Sequence, residues 1–418
     1  MTGNDGVLVR SVAWTELCPW LNVFRCFRLA ADFRALALGA AGVVLMMSAW
    51  AIWAKVFDVD DATAAWMAPH NGCSWLAITA AVPDQPVPPA LPNPIAAESA
   101  GNAAWHTPDP VFGVWAQLGR PLWAVFDTGT GVRRLACLLL CGLSSLAIWA
   151  FFGGAIARIA AVQLACEERV GIVAALRFAC NKWVSYFVAP VVPIVGILFL
   201  AVPAWIVGLL AQWGFGALLG GLAWPVLLLL GFVIAALLVG LVFGWPLMWG
   251  TISAEGTDSF DGLSRSFAYV FQRPAHYLFY ALVAAVFGVL GWLLVQLFAS
   301  CVVGATYWAV SWGCGDERIA LLTPGGNAEG LSYAGALLIR FWSGCVKLLA
   351  VGFLYSYFWT AATAIYFLLR RDVDATEMDE VYLDADATET APPLPPIKTD
   401  AEGAPVVEEP TPPSPPAN

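Results

Sequence analysis

The stretch WVSYFVAPVVPIVGILFLAVPAWIVGLLAQWGFGALLGGLAWPVLLLLGFVIAALLVGLVFGWPLMWGTISA, Trp183 to Ala254, runs for 72 residues without an Asp, Glu, Lys, Arg or His. No soluble core element needs so long an uncharged run. A hydrocarbon core of roughly 30 Å is crossed by about 20 helical residues, so the stretch holds two long spans or three short ones. Polarity and glycine return at Gln212, Trp213, Gly214, Phe215 and Gly216. That break predicts two helices joined by a tight turn, which keeps every backbone N–H and C=O paired inside lipid.

The same solvent is written over the rest of the chain. Hydrophobic residues make up 60% of the 418 and charged residues 12%, against roughly 25% charged in soluble domains. Further apolar runs cover Ala35–Ala54, Leu135–Ile156, Tyr277–Trp312 and Leu348–Leu369, while Val184–Ala211 and Ala217–Gly250 divide the central stretch. The expected fold class is therefore all-α, a polytopic helical membrane protein with about six transmembrane helices and amphipathic in-plane helices. The first run follows Arg25, Arg28 and Arg34 and closes at Lys55, behind a leader of 34 residues. It reads as a signal anchor, although Ser48 to Ala51 faintly mimics a cleavage site. Segments 1–34 (leader), 35–371 (membrane domain, with an external loop over 56–134) and 372–418 (tail) follow.

Orientation comes from the Lys and Arg distribution. With the N-terminus inside, thirteen fall on cytoplasmic segments and seven elsewhere, as the positive-inside rule expects, with Arg133 and Arg134 on the wrong side. Both termini are then cytoplasmic. The net charge of -10 belongs to the tail, because residues 372–418 hold twelve acids and one lysine, or -11, leaving +1 for the rest.

Three cytoplasmic stretches share a design in which apolar residues recur at spacings of three and four just ahead of an outgoing span. They are Trp20, Phe24, Phe27 and Ala31; Ile172, Ala175, Ala179 and Trp183; and Phe260, Leu263, Phe267 and Phe271. Helices of this kind lie in the headgroup plane with the apolar face toward the acyl chains. The pattern reads as three parallel units of in-plane helix, outgoing span and returning span, related by an axis along the membrane normal. Generic amphipathic connectors would look the same. Two external in-plane candidates precede the second span (Val111 to Val125) and the sixth (Leu331 to Lys347). The second would bring Arg340 and Lys347 to water rather than to mid-bilayer.

Chemistry is sparse. No GxxxxGK[ST], GxSxG or HExxH motif occurs, and no carboxylates pair within the spans, so no catalytic, cofactor-binding or metal residues are assigned and no enzyme is expected. His70 and His106 lie in the first loop beside Asp58, Asp60 and Asp61, at spacings that match no metal pattern. Of ten cysteines, Cys73 and Cys314 alone fall squarely outside, and an oxidising compartment would make them the disulfide pair. Chance placement is the alternative. Gly216 with Gly220, and Gly240 with Gly244, have the small-xxx-small spacing of close helix packing. The tail is acidic and proline-rich with little to bury, which predicts disorder for most of it, and order for Val373 to Leu383 if it docks on the in-plane helices.

FGGAIARIAAVQ (Phe152 to Gln163) and AIYFLLRRDVD (Ala364 to Asp374) resemble segments of an uncharacterised polytopic inner membrane protein family of planctomycete-type bacteria. The likeness covers residues from about 110 to 382. It implies a bacterial inner membrane protein with no assigned activity, so no functional residues carry over. More loosely, the repeated helix and hairpin is similar to the membrane domain attached to some bacterial glycerophosphodiester phosphodiesterases, whose catalytic motifs are absent here. The expected function is a non-enzymatic scaffold or membrane-organising component, with a permease or lipid-transfer component as the alternative. Expected partners are the lipid bilayer, a cytoplasmic protein reached through the acidic tail, and a second copy of the chain, with no nucleic acid.

Overall fold

The spacing of charges along the chain translates into helices of membrane length. The computed structural model describes residues 19–58, 109–124, 131–322 and 329–383. A 3-10 turn at Pro19–Asn22 leads into α1 (Val23–Ala30), followed by α2 (Phe33–Val56), α3 (Phe112–Ala124), α4 (Val132–Ala165), α5 (Ile172–Asn181) and α6 (Trp183–Leu210). Then come α7 (Gly214–Glu255), α8 (Ser259–Gln272), α9 (Pro274–Cys314), α10 (Asp316–Leu322) and α11 (Leu331–Asp374). Six of these, α2, α4, α6, α7, α9 and α11, are long and apolar enough to cross a membrane. The protein is a multi-pass, all-α membrane protein, as the uncharged runs predict.

Local chemistry sets the boundaries. Asp32 caps α2 by accepting from the Arg34 backbone N–H at 3.2 Å, and Asp258 caps α8 by accepting from the Asp261 N–H at 3.0 Å. Such a side-chain oxygen answers a donor the helix start leaves open. Gly256, at φ 63°, ends α7 in the left-handed region, where a residue without Cβ carries no penalty. The turn between α6 and α7 falls on residues 211–213, so the glycine-marked break lies where the sequence puts it.

The element order repeats three times: α1 then α2 out and α4 back, α5 then α6 out and α7 back, α8 then α9 out and α11 back. Successive units are tied by the same device. Arg34, at the start of the first outgoing span, donates through Nη1 to the Val170 carbonyl, 2.5 Å away, in the loop before α5. Lys182, at the start of the second, donates through Nζ to the Gly256 carbonyl and, at 3.5 Å, to that of Thr257, in the loop before α8. We call the end of the bundle that carries these loops the collar end.

The centre is α11. Every residue from Ala350 to Arg370 is buried, enclosed by α2, α4, α7, α9 and α1. Near the collar end, the three returning helices meet through rings laid on glycine. The Trp249 and Trp359 rings stack at 4.2 Å and 14°, Trp149 stacks on Tyr355 at 4.6 Å and 8°, and Gly153 faces both Trp249 and Trp359. Gly39 and Gly352 bring the backbones of α2 and α11 into direct contact. The spaced glycines also pack: Gly216 and Gly220 against the end of α6, Gly240 and Gly244 against the Phe267 ring.

Two expectations need revision. The short helices present a face to the bundle as well as one away from it: Val23, Cys26 and Ala30 of α1, Ala175, Phe178 and Ala179 of α5 and Tyr269 and Val270 of α8 are buried, while Phe24, Phe260 and Phe271 of the stripes read from the sequence stay exposed. Glycines receive two of the rings, Phe27 of α1 against Gly291 of α9 and Phe267 of α8 against Gly240 of α7. Leu331 to Lys347 is also no separate helix but the first part of the 44-residue α11, since nothing in that segment breaks the backbone ladder. Lys347 is exposed, whereas the Arg340 Nε is buried with no hydrogen-bond partner among the described residues.

A Cβ at Gly153 would sit 2.7 Å from Trp359 and 2.8 Å from Trp249, whereas one at Gly221 meets nothing within 4 Å. Gly153→Ala should therefore destabilise the detergent-solubilised protein by about 1–3 kcal/mol, the usual cost of overpacking. Gly221→Ala should leave thermal unfolding unchanged or slightly raised. Equal effects from the two would remove the ring-on-glycine core as the source of stability.

Candidate functional site

Where a span carries an ionisable group, that group must find a partner or reach water, because an unpaired charge in lipid costs several kcal/mol. In this fold such groups gather at the collar end around Glu255, the first charged residue after the uncharged run. Its side chain is 13% exposed and forms ion pairs with Arg265 of α8 at 2.8 Å and Arg370 of α11 at 3.6 Å. It also accepts the Tyr366 hydroxyl at 2.5 Å. Arg370 donates onward to the Glu380 carbonyl at 2.8 Å and pairs with the Glu380 carboxylate at 3.5 Å.

A second fastening lies beside the first. Arg158, buried inside α4, donates to the Ser253 carbonyl at 2.8 Å and lies 4.2 Å from the centre of the Phe178 ring. The Ser253 hydroxyl in turn pairs with Tyr186 at 2.8 Å. The Tyr269 hydroxyl donates to Asp374, and Tyr280 to Asp372 at 2.8 Å. Burial pushes the Tyr269 hydroxyl above its ordinary range, and the Asp374 carboxylate raises it further. It therefore stays protonated and keeps donating.

This network captures the start of the acidic segment. Val373, Met378 and Val381 pack against the core, Asn22 Nδ2 lies 3.5 Å from the Met378 sulfur, and Cys166 Sγ lies 4.0 Å from the Asp379 carbonyl. The membrane unit thus runs to Val381, and Tyr382 and Leu383 after it are exposed.

The polar residues of the spans do not converge on a common space. Ser145 accepts the Trp50 indole at 2.7 Å, Ser144 donates to Cys141 at 3.0 Å, Ser356 to Ala30 at 3.0 Å, and Thr360 to Ser356 at 2.8 Å. Tyr355 is buried against Trp149, and its hydroxyl and Gln296 Oε1 have no hydrogen-bond partner among the described residues. Of the cysteines proposed as a pair, Cys314 is exposed at the end of α9, and Cys73 lies outside the described residues, as do His70 and His106. No group of three His, Cys, Asp or Glu is placed to hold a metal ion among the described residues.

Sequence reasoning missed Arg158 and Glu255 as interior groups. The signal was present: Arg158 interrupts an apolar run before the loop begins, and Glu255 ends the longest one. Comparison of the chain with protein-family models, curated proteins and solved structures finds no match.

The two arginines on Glu255 differ in exposure, 8% for Arg370 and 40% for Arg265. Glu255→Gln should cost about 1–3 kcal/mol, because it leaves a buried guanidinium short of its partner. Arg265→Gln should cost about 0–1 kcal/mol, as solvent-exposed pairs do. Chemical or thermal unfolding of the two variants in the same detergent checks the order, and an equal cost would show that Arg370 does not depend on Glu255.

Proposed function

We propose that this multi-pass membrane protein is a non-enzymatic scaffold of a bacterial inner membrane, with both termini in the cytoplasm. It would offer the acidic, proline-rich segment beyond Val381 to a cytoplasmic protein. One observation carries the reading. The inner ionisable groups at the collar end, Arg158, Glu255 and Arg370, are spent on one another, on the Tyr366 hydroxyl and on backbone carbonyls, and the bundle centre is filled with rings packed on glycine. Such an interior suits a body that holds its shape. The segment up to Val381 is held on that body, and seven of the twelve acids after Arg371 follow it in the sequence. Membership of the planctomycete-type inner membrane family is part of this proposal.

A second reading, a permease or lipid-transfer component, is favoured by the α6–α7 hairpin. Its far portion exposes Leu198, Trp205, Leu222 and Phe232, and the two helices carry Pro190, Pro193, Pro203, Pro225 and Pro246. Prolines inside a helix remove backbone bonds and permit bending.

Ending the chain after Val381 preserves Met378 and Glu380 and should leave insertion and thermal stability intact while abolishing co-purification of a cytoplasmic partner. Undiminished recovery of that partner would overturn the scaffold reading. In liposomes, the purified protein should move neither labelled phospholipid nor small solutes between compartments. Movement that stops when the α6–α7 hairpin is cross-linked would establish the second reading instead. Reporter fusions after Ala90, Gly256 and Asp400 should report outside, inside and inside, and an external report at Asp400 would remove the six-span topology.

A further inference from the structure

Some collar-end arginines are answered by a carboxylate or carbonyl, as in Arg25 with Glu167 at 2.9 Å, but several, Arg28, Arg169, Arg177 and Arg273 among them, are not, and the first two share a recess. Arg28 on α1 and Arg169 in the loop before α5 are exposed and make no hydrogen bond or ion pair among the described residues. They line one recess of about 460 Å³ together with Ala31, Asp32 and Arg34. The third guanidinium of the recess is fixed in place. Arg34 is held by the Asp32 carboxylate, 2.6 Å from Nη2 and 3.2 Å from Nε, and by the Val170 carbonyl, 2.5 Å from Nη1. The Arg34 hydrogen bonds keep the Asp32 carboxyl below its ordinary range, and Arg169 contributes to the same shift. Asp32 is therefore ionised at neutral pH and already committed. The lining holds three cations and one anion, which leaves two positive charges unanswered. Of the neighbouring carboxylates, Glu167 is engaged by Arg25, and Glu168 lies beside Cys166 outside the lining.

Position adds to charge. The recess sits where α1 turns into the first span, the position at which a helix crossing a bilayer meets the headgroups, and Phe33 at the start of that span is exposed. Guanidinium groups bind phosphate oxygens through paired N–H donors in a planar fork, and basic pockets at this depth recognise anionic headgroups. From the convergence of two unanswered arginines on a third that is pre-positioned, we infer that this recess binds a phosphate group, supplied by the headgroup of an anionic phospholipid at the collar-side membrane surface. The inference rests on membrane insertion and is independent of the scaffold reading.

The test uses the full-length protein, delipidated in detergent and titrated in native mass spectrometry with phosphatidylglycerol, phosphatidylcholine or inorganic phosphate. Wild type should bind phosphatidylglycerol about thirtyfold more tightly than phosphatidylcholine, the scale expected for two arginines near a headgroup. The Arg28→Gln/Arg169→Gln variant should lose that preference. The control Arg177→Gln/Arg273→Gln removes the same charge from two other exposed collar-end positions and should keep it. Should the recess variant not be recovered as monodisperse protein, Arg28→Lys/Arg169→Lys replaces it and should show an intermediate preference, since it keeps charge and loses the fork. Phosphate binding that depends on Arg28 and Arg169 without any lipid preference would keep the phosphate site and assign it a soluble source. Equal losses in the recess and control variants would overturn the proposal. So would a wild type that neither prefers phosphatidylglycerol nor binds phosphate.

Discussion

The burial of α11 on all sides, from Ala350 to Arg370, is the constraint on which the remaining structure depends. Within lipid, helices gain nothing by hiding apolar surface from water, so association depends on close packing and on a few polar contacts. A helix enclosed all round must offer its neighbours either small residues or flat ones. This one offers both: Gly352 touches the backbone of α2, and Tyr355, Trp359 and Tyr366 lie against Trp149, Gly153, Trp249 and Gly250 on the other returning helices. Polar side chains within the helix, Ser356, Thr360 and Thr363, donate to carbonyls at 2.8–3.0 Å. They add little that would need solvent.

The returning helices are also far longer than the membrane. α7 has 42 residues and α11 has 44, or more than about 60 Å at the helical rise, roughly twice the hydrocarbon thickness. Part of that length lies away from the collar, as Leu331 to Lys347 of α11 does, while at the collar end α1 packs on α11, α5 on α4 and α8 on α7. There the ionisable groups find each other at a depth where charge is tolerable, and Glu255 joins α7, α8 and α11 at one carboxylate. The polar network thus does at the boundary what ring-on-glycine contact does deeper in.

How much of this was legible follows from what each signal measures. Charge-free runs report depth along the membrane normal, and for that reason the six spans, the turn near Gln212 and the three short helices before outgoing spans appear where the sequence puts them. Lateral neighbours leave a weaker trace. The stripe Trp20, Phe24, Phe27 and Ala31 marks one face of α1, yet the face packed on α11 is the neighbouring one of Val23, Cys26 and Ala30, which periodicity of the large apolar residues does not single out. Arg158 was read as a loop residue because an arginine at the edge of an apolar run ordinarily marks water. Its partners, the Ser253 carbonyl and the Phe178 ring, come from two other helices, with Ser253 95 positions away. Leu331 to Lys347 looked like a separate element because its charges suggest the interface, yet no glycine or proline pair stops the helix there. For the candidate site, residue types were visible and convergence was not, since Glu255 and Arg370 meet across 115 positions of chain.

The order of the elements has a consequence for biogenesis. Because α11 follows in the chain every helix that surrounds it, the ribosome releases the bundle's central post after them. The first two hairpins must therefore reside in the bilayer with their Trp- and Gly-lined faces turned to lipid, a solvent those faces tolerate because the rings are apolar and the backbone is already satisfied. Arg34 cannot reach Val170 until the second unit begins to emerge, nor Lys182 reach Gly256 until the third does. Assembly is thus ratcheted from the N-terminus, each newly made loop locking the hairpin before it, and the final insertion of α11 converts a row of hairpins into a closed bundle.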